Sequence, residues 1–352
     1  MFFNVNLFSQ SLSFKGKIWL DGVYYEPSSK GKTNLNYVPE LIFSTKINKN
    51  SYLDFKWSYR IRKDLHNNLD HYKSPRHRYR FWMRYIDNVI DFRLGLQKIA
   101  FGPGYILRPL SWFDSIDFTD ITGFTEGVEA VRFIYTFSNE LSIWTWSISS
   151  NSNLPSYGGR VELSNQLGNW GITYHRDLNK DIYNQINFYL PEELPLHLDE
   201  LSIDYFGFRE NYRFGFDYRY DGLIGFWTEN SFWFIDKYDD VGIKEIYLSM
   251  FGFDYTIPVI DGIYLMSETM HTYVLAIDNS YFDMTNTVVN LDVPIDFLNK
   301  FSLVSAINWN DEDIYHLLRF ITIYDDFSID FNTQITDGKW DRSFRISFVY
   351  NY

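Results

Sequence analysis

His77-Arg78-Tyr79-Arg80-Phe81-Trp82-Met83-Arg84-Tyr85 alternates strictly, with Arg78, Arg80 and Arg84 at even positions and Tyr79, Phe81, Met83 and Tyr85 at odd ones. Successive side chains of a strand point to opposite faces, so this run presents guanidinium groups on one side and apolar bulk on the other. After a tight turn at Asp87-Asn88 the chain returns in the same manner. Asp91, Arg93, Gly95 and Gln97 share one face, and Ile90, Phe92, Leu94 and Leu96 the other. The two runs read as a β-hairpin. The hairpin leads into a long segment, residues 102–127, which opens with Gly102-Pro103-Gly104 and carries Arg108, Pro109, Trp112 and the acids Asp114, Asp117 and Asp120. A charged face, an aromatic face and a long acidic loop point to a pore narrowed by that loop.

The same pattern extends on both sides. Upstream, residues 51–63 place Leu53, Phe55, Trp57, Tyr59 and Ile61 on one face and Asp54, Lys56, Ser58, Arg60 and Arg62 on the other. Three neighbouring strands therefore line one wall with Lys56, Arg60, Arg62, Arg78, Arg80, Arg84 and Arg93. Downstream, Val131, Phe133, Tyr135 and Phe137 resume the alternation with Arg132 opposite, which adds a further cation to the pore lining. Tyr212, Phe214, Phe216, Tyr218 and Tyr220 oppose Arg213, Asp217 and Arg219, and the chain ends on Phe344, Ile346, Phe348, Tyr350 and Tyr352. Residues 13–25, 36–47 and a series from 223 to 336 supply further strands. Residues 177–200, with Pro191 and Pro195, are the least regular, since proline cannot donate to a central ladder.

Segments of about ten alternating residues separated by turns are the signature of a transmembrane β-barrel, with an apolar lipid face and a polar lumen. The expected fold is all-β: one closed antiparallel transmembrane barrel of roughly 16 to 20 strands, about 18 or 20 by the hairpin count, with the long loop folded inward. Tight connections such as Asp87-Asn88, Ser138-Asn139 and Asp325-Asp326 alternate with long ones such as 64–76 and 102–127, as two unequal rims require.

Composition narrows the function. The 352 residues include 28 Tyr and 32 Phe and no Cys, and no stretch approaches the roughly 20 apolar residues of a membrane helix. A formal net charge of −13 argues against nucleic acid as a partner. Residues 1–10 are apolar, lack Lys and Arg, and read as the remnant of a signal peptide, with the barrel occupying 11–352. A short N-terminal extension packed inside the barrel is the other reading.

Competing functions leave weaker traces. A soluble sandwich would build its apolar face from Val, Ile and Leu rather than Phe, Tyr and Trp. A barrel enzyme needs a nucleophile and base near one rim, and the chain offers no Gly-x-Ser-x-Gly or comparable constellation. Asp114, Asp117 and Asp120, spaced by three, do not match a calcium loop, and His66, Asp70 and His71 read as an exposed loop rather than a metal clip. No catalytic residue, metal or cofactor is expected.

Asp91-Phe92-Arg93-Leu94-Gly95-Leu96-Gln97 through Phe101-Gly102-Pro103-Gly104, followed by Pro109-Leu110 and Trp112-Phe113-Asp114, resembles a pattern of porin-type families, including alginate-export porins. In those families a Gly-Arg-Gln strand leads to an aromatic-Gly pair and a Pro-Leu-Asp-like loop. Leu96 stands here where Arg is common, and Pro-Leu is not followed directly by Asp. The resemblance covers roughly fifty residues, to Arg132, and the terminal aromatic strand resembles the C-terminal signal of bacterial outer-membrane barrels. It implies a passive channel in the outer-membrane lipid that passes small hydrophilic solutes or ions, and a homo-oligomer is common among such proteins. A plugged structural or adhesive barrel is the alternative.

Overall fold

The computed structural model describes residues 4–7, 10–25, 30–65, 76–114, 125, 127–137, 140–149, 155–178, 210–236, 243–259, 261–336 and 343–352. No helix occurs among them. The strands are β1 (Asn4–Leu7), β2 (Gln10–Tyr25), β3 (Lys30–Lys46), β4 (Tyr52–Asp64), β5 (Arg76–Ile86), β6 (Ile90–Gln97) and β7 (Val128–Thr136). Next come β8 (Leu141–Ile148), β9 (Ser156–Asn165), β10 (Gly168–Asp177), β11 (Asn211–Tyr220), β12 (Gly225–Ile235) and β13 (Ile243–Ile257). The last are β14 (Ile263–Ala276), β15 (Tyr281–Pro294), β16 (Asn299–Asn308), β17 (Asp313–Tyr324), β18 (Phe327–Thr336) and β19 (Ser343–Asn351).

From β2 onward each strand pairs antiparallel with the next, and β19 returns to pair with β2, so 18 strands close into a barrel. The seam extends to the last residue: Gly16 and Tyr352 exchange two backbone hydrogen bonds of 3.0 Å. β1 lies outside the ring as a short antiparallel addition to the start of β2, from Asn4↔Ser13 to Leu7↔Gln10. Closure leaves no unpaired edge, which is what lipid demands of a β-structure.

Burial follows the alternation. Phe81 is 43% exposed on the outside while its neighbour Arg80, facing in, is 6% exposed. Phe14, Leu94, Val131, Phe214, Phe331, Phe344 and Phe348 join Phe81 on an apolar outer surface.

Two departures from the simple alternation matter. A bulge sets Ser58↔Arg80 beside Tyr59↔Arg78, so β5 carries one extra residue, Tyr79. Arg78 consequently shares the outer face with Tyr59 and Trp57, whose rings lie 5.5 Å apart, and pairs there with Glu129 at 3.3 Å. Tyr79, expected outside, turns inward and packs against Trp19, Val38 and Val349. Placing Arg78 on the lumen wall is thereby corrected: a bulge inserts one residue and reverses the facing of everything beyond it. The second departure is that β12 to β14 are apolar on their inner face as well, with Trp227, Trp233, Leu248, Met250, Met266 and Met270 all buried. A uniformly polar lumen was expected; one arc of this lumen is a hydrophobic core.

Turn chemistry fixes the short rim. Asp87 accepts the backbone N–H groups of Val89 and Ile90 at 2.9 and 2.8 Å, an Asx turn that closes the β5–β6 hairpin. The Val89 and then the Ile90 N–H hold its carboxyl below the usual carboxylate range.

Two outcomes are expected. Phe81→Lys should lower the stability of the barrel in lipid vesicles by about 2–4 kcal/mol, read from denaturant titrations. Because the folded Asp87 carboxyl is depressed, its stabilisation is complete above the ordinary carboxylate range and is lost as pH falls through the folded value. An Asp87→Asn variant should therefore trail the native protein at neutral pH and converge with it in acid.

Candidate functional site: an inward loop and a charged wall

Residues 98–127 connect β6 to β7, and the described part, 98–114, runs into the lumen. The connection is rooted by Gln97, fully buried at the end of β6, whose Nε2 donates to the Ala130 carbonyl at 2.9 Å. From there Ile99, Phe101, Leu110 and Trp112 enter the apolar arc. Phe101 packs edge-on to Trp112 at 5.4 Å and stacks on Trp146 at 5.7 Å, and the Trp112 indole donates to Ser231 Oγ at 3.0 Å. Each such buried side chain contributes about 1.5–3 kcal/mol relative to exposure. Gly215 on β11 makes room: a Cβ there would stand 2.6 Å from Leu110 Cδ2.

Two carboxylates hold the loop across the barrel. Glu229, on the inner face of β12, accepts the backbone N–H of Gly104 at 2.5 Å and of Leu110 at 3.0 Å. Glu268, on β14, accepts those of Tyr105, Ile106 and Leu107 at 2.7, 2.8 and 2.7 Å, and the Trp227 indole at 3.0 Å. Both carboxylates are fully buried. Successive backbone N–H groups converging on an anion make a nest, and charge-assisted bonds of this kind are about twice as strong as neutral ones. Gly102 permits the approach. Its φ is +87°, and a Cβ would sit 2.3 Å from Glu229 Oε1. Beyond the nest, Ile106 and Leu107 reach the far side of the ring and pack against Val288, Val304 and Leu317 of β15, β16 and β17.

Among the described residues the loop's own charges are paired locally. Arg108 bridges Asp114 at 3.0 and 3.4 Å, and Lys98 reaches the same carboxylate at 3.4 Å. Asp117 and Asp120 lie outside the described residues, as do His66, Asp70, His71 and most of the irregular stretch 177–200. A second fastening comes from the wall: Arg80 donates from Nη2 to the carbonyl and hydroxyl of Thr125 at 2.9 and 3.0 Å.

The cationic wall forms rungs across β4 to β7. Arg84, Arg93 and Arg132 face one another in direct register on three adjacent strands. Like charges opposite one another are unfavourable, and Asp91 relieves them, accepting two bonds from Arg84 at 2.9 and 2.8 Å and one from Arg132 at 3.3 Å. Arg93 lies over the Trp82 ring at 4.6 Å, and Arg60 over Trp19 at 5.8 Å. Lys56 pairs with Glu40 at 2.8 Å, with about a fifth of each side chain exposed inside the barrel. Arg62 lies further along the same face of β4, exposed near the long-loop end.

The opposite arc carries ion pairs that the sequence reading did not single out. Arg160 clasps Asp217 with two bonds of 2.5 and 2.9 Å and touches Glu162 and Thr173. Arg213 pairs with Asp177 and lies 3.9 Å over the Trp233 ring. The two loop anchors were likewise missed. Their signal was present: Glu229 in Trp227-Thr228-Glu229-Asn230-Ser231 and Glu268 in Met266-Ser267-Glu268-Thr269-Met270 stand mid-strand on an inner face, the first beside Trp227 and the second between two methionines.

No family model matches the sequence, and no curated protein matches it. Solved structures with the same architecture do. The chain is similar to Pseudomonas aeruginosa OccK5, at 7% identity and a TM-score of 0.58 over 98% of each chain. It is also similar to Salmonella typhi OmpF in complex with daunomycin, at 10% identity and a TM-score of 0.55, covering 99% of this chain and all of that one. An anion-selective porin from Comamonas acidovorans gives 10% identity and a TM-score of 0.52, over 97% of this chain and all of that one. The fold is thus that of the porin-like outer-membrane β-barrels.

Removing one anchor should release the loop without opening the ring. Glu268→Ala leaves three backbone N–H groups without their acceptor, a cost of about 2–5 kcal/mol to the docked loop. Amide hydrogen exchange at residues 105–107 should accelerate by at least about tenfold, while exchange in β2 and β19 stays unchanged.

Proposed function

We propose that the protein is a channel of the bacterial outer membrane through which small hydrophilic or charged solutes pass by diffusion, without chemistry or cofactor. One observation carries this reading: the lumen is divided. The loop and the apolar arc fill the side from β7 to β14, while charged side chains on the other side keep solvent contact within the closed ring. Lys56, Glu40, Arg84 and Arg319 retain between 18% and 25% of their side-chain surface there. Charges that stay wet inside an apolar shell suit a water-filled path, and their arrangement sets its selectivity.

On this reading the loop is a fixed partition. The row Arg84, Arg93 and Arg132, with Asp91 among them, gives the path an excess of positive charge on one side. A field of that sign favours anions over cations of equal size. A plugged structural barrel is the second reading, favoured by the contact of Ile106 and Leu107 with the far wall.

Planar-bilayer recordings under a salt gradient separate the two. The native protein should give stable open steps, and Arg93→Glu with Arg132→Glu should move the reversal potential toward cation selectivity. A silent native protein beside a conducting variant lacking residues 104–110 would establish the plug instead.

A further inference from the structure

A cavity of about 400 Å³ lies on the inner side of the barrel seam, lined by Lys15, Lys17, Glu40, Tyr79, Asp326 and Asn351. Its size falls in the range of small-molecule sites. Trp19 and Val38 also border it and, with Val349, form a buried apolar cluster. Lys15, Glu40, Ser58 and Arg80 lie in direct register across four consecutive strands, so one rung presents an ammonium, a carboxylate, a hydroxyl and a guanidinium in turn.

We infer that this cavity is a binding station for uncharged, hydroxylated solutes of monosaccharide to disaccharide size. The lining decides the class. Its two lysines stand among two carboxylates, Glu40 and Asp326, and Lys56 adds a third ammonium at 2.8 Å from Glu40. An anion entering the cavity meets carboxylates among the ammonium groups, and a cation meets ammonium groups among the carboxylates. A hydroxyl both donates and accepts, so a polyol can bond to ammonium, carboxylate and amide groups along the same wall without a net charge of its own. Tyr79 adds a ring against which the carbon face of a sugar can pack.

The bulge supports a dedicated role for that ring. Under unbroken alternation Tyr79 would lie on the outer surface and Arg78 would point inward. Bulges recur where a side chain must be re-aimed at a site. The re-aimed ring lies beneath the Arg80 guanidinium, 4.0 Å from its centroid, and Arg80 is the residue that fastens Thr125 of the loop. The station thus adjoins the second anchor of the partition. It extends to the short-turn rim, where Gly16 pairs with Tyr352.

The station's place on a transport path rests on the channel reading, but binding does not require conduction, and the test uses that difference. Isothermal titration of the full chain, folded in detergent, compares glucose and maltose with gluconate and glycine. Saturable binding of a neutral sugar is expected, with no saturable heat from gluconate or glycine. Tyr79→Ala should weaken it by at least tenfold, and the exposed Lys15→Ala by a few fold. Phe81→Ala, on the outer face, should leave it unchanged, and resistance to protease reports folding of each variant. Absence of saturable sugar binding, tighter binding of gluconate or glycine, or unchanged affinity in both folded Tyr79→Ala and Lys15→Ala overturns the station. Sugar binding by a protein that is silent in bilayers overturns the channel reading and leaves the station standing.

Discussion

A carboxylate buried inside a barrel wall needs partners, and Glu229 and Glu268 obtain theirs from a loop that starts on the other side of the ring. Burying an isolated charge costs several kcal/mol even after relaxation. Five backbone N–H groups and one indole offset that cost here. The dependence runs both ways, because irregular backbone within a lumen carries donors that the loop cannot satisfy internally. Loop and wall each reduce the other's electrostatic penalty. Gly102-Pro103-Gly104 serves this exchange. It brings backbone to within hydrogen-bonding distance of a carboxylate where any side chain would intrude.

That mutual dependence explains the asymmetry of the interior. Once the loop is drawn to β12 and β14, the wall beneath it is no longer wet, and residues that suit a core replace residues that suit water. Trp227, Met250 and Met270 surround the anchors, and Phe101, Leu110 and Trp112 fill the space above them. Several polar groups kept in this arc are tied down. The Trp146 indole donates to His175 Nδ1 at 3.2 Å, and Arg160 and Arg213 each hold a carboxylate. In the remaining arc Lys56, Glu40, Arg84 and Arg319 keep contact with solvent. The ring thus holds a hydrophobic core on one side and charged side chains on the other, with the loop between them.

The fold was legible because period two is a property of every strand and survives one misjudged position. The outward aromatic faces of β5, β11 and β19, the Asp87 turn and the inward loop all follow from alternation and turn chemistry. The loop's attachments did not follow, since nothing local to Glu229 or Glu268 states which distant backbone will meet them. A mid-strand Glu between Trp227 and Ser231 signals only that some partner must exist. The apolar arc was hidden for the same reason: an apolar residue on an inner face has meaning only once the group packed against it is known. Arg108 and Asp114 were recognised as loop charges, but their pairing with each other depends on the loop's path.

Arg78 shows how a single register step changes chemistry as well as geometry. Read by strict alternation, the run 77–85 contributes three guanidinium groups to the lumen. The bulge opposite Ser58 and Tyr59 leaves two there and substitutes a phenol for the third. The displaced guanidinium is not stranded, because Glu129 on the outer face of β7 lies 3.3 Å away. Both side chains are more than half exposed, so that pair adds little stability of its own, and each offsets the other's charge on the outer face. What the bulge changes is the wall. At the seam, cation, carboxylate, hydroxyl and aromatic ring stand together in place of a continuous row of positive charge. The inner wall therefore has two zones of different character: a cationic row on β5, β6 and β7, and a mixed-charge, partly aromatic pocket where the barrel closes on itself.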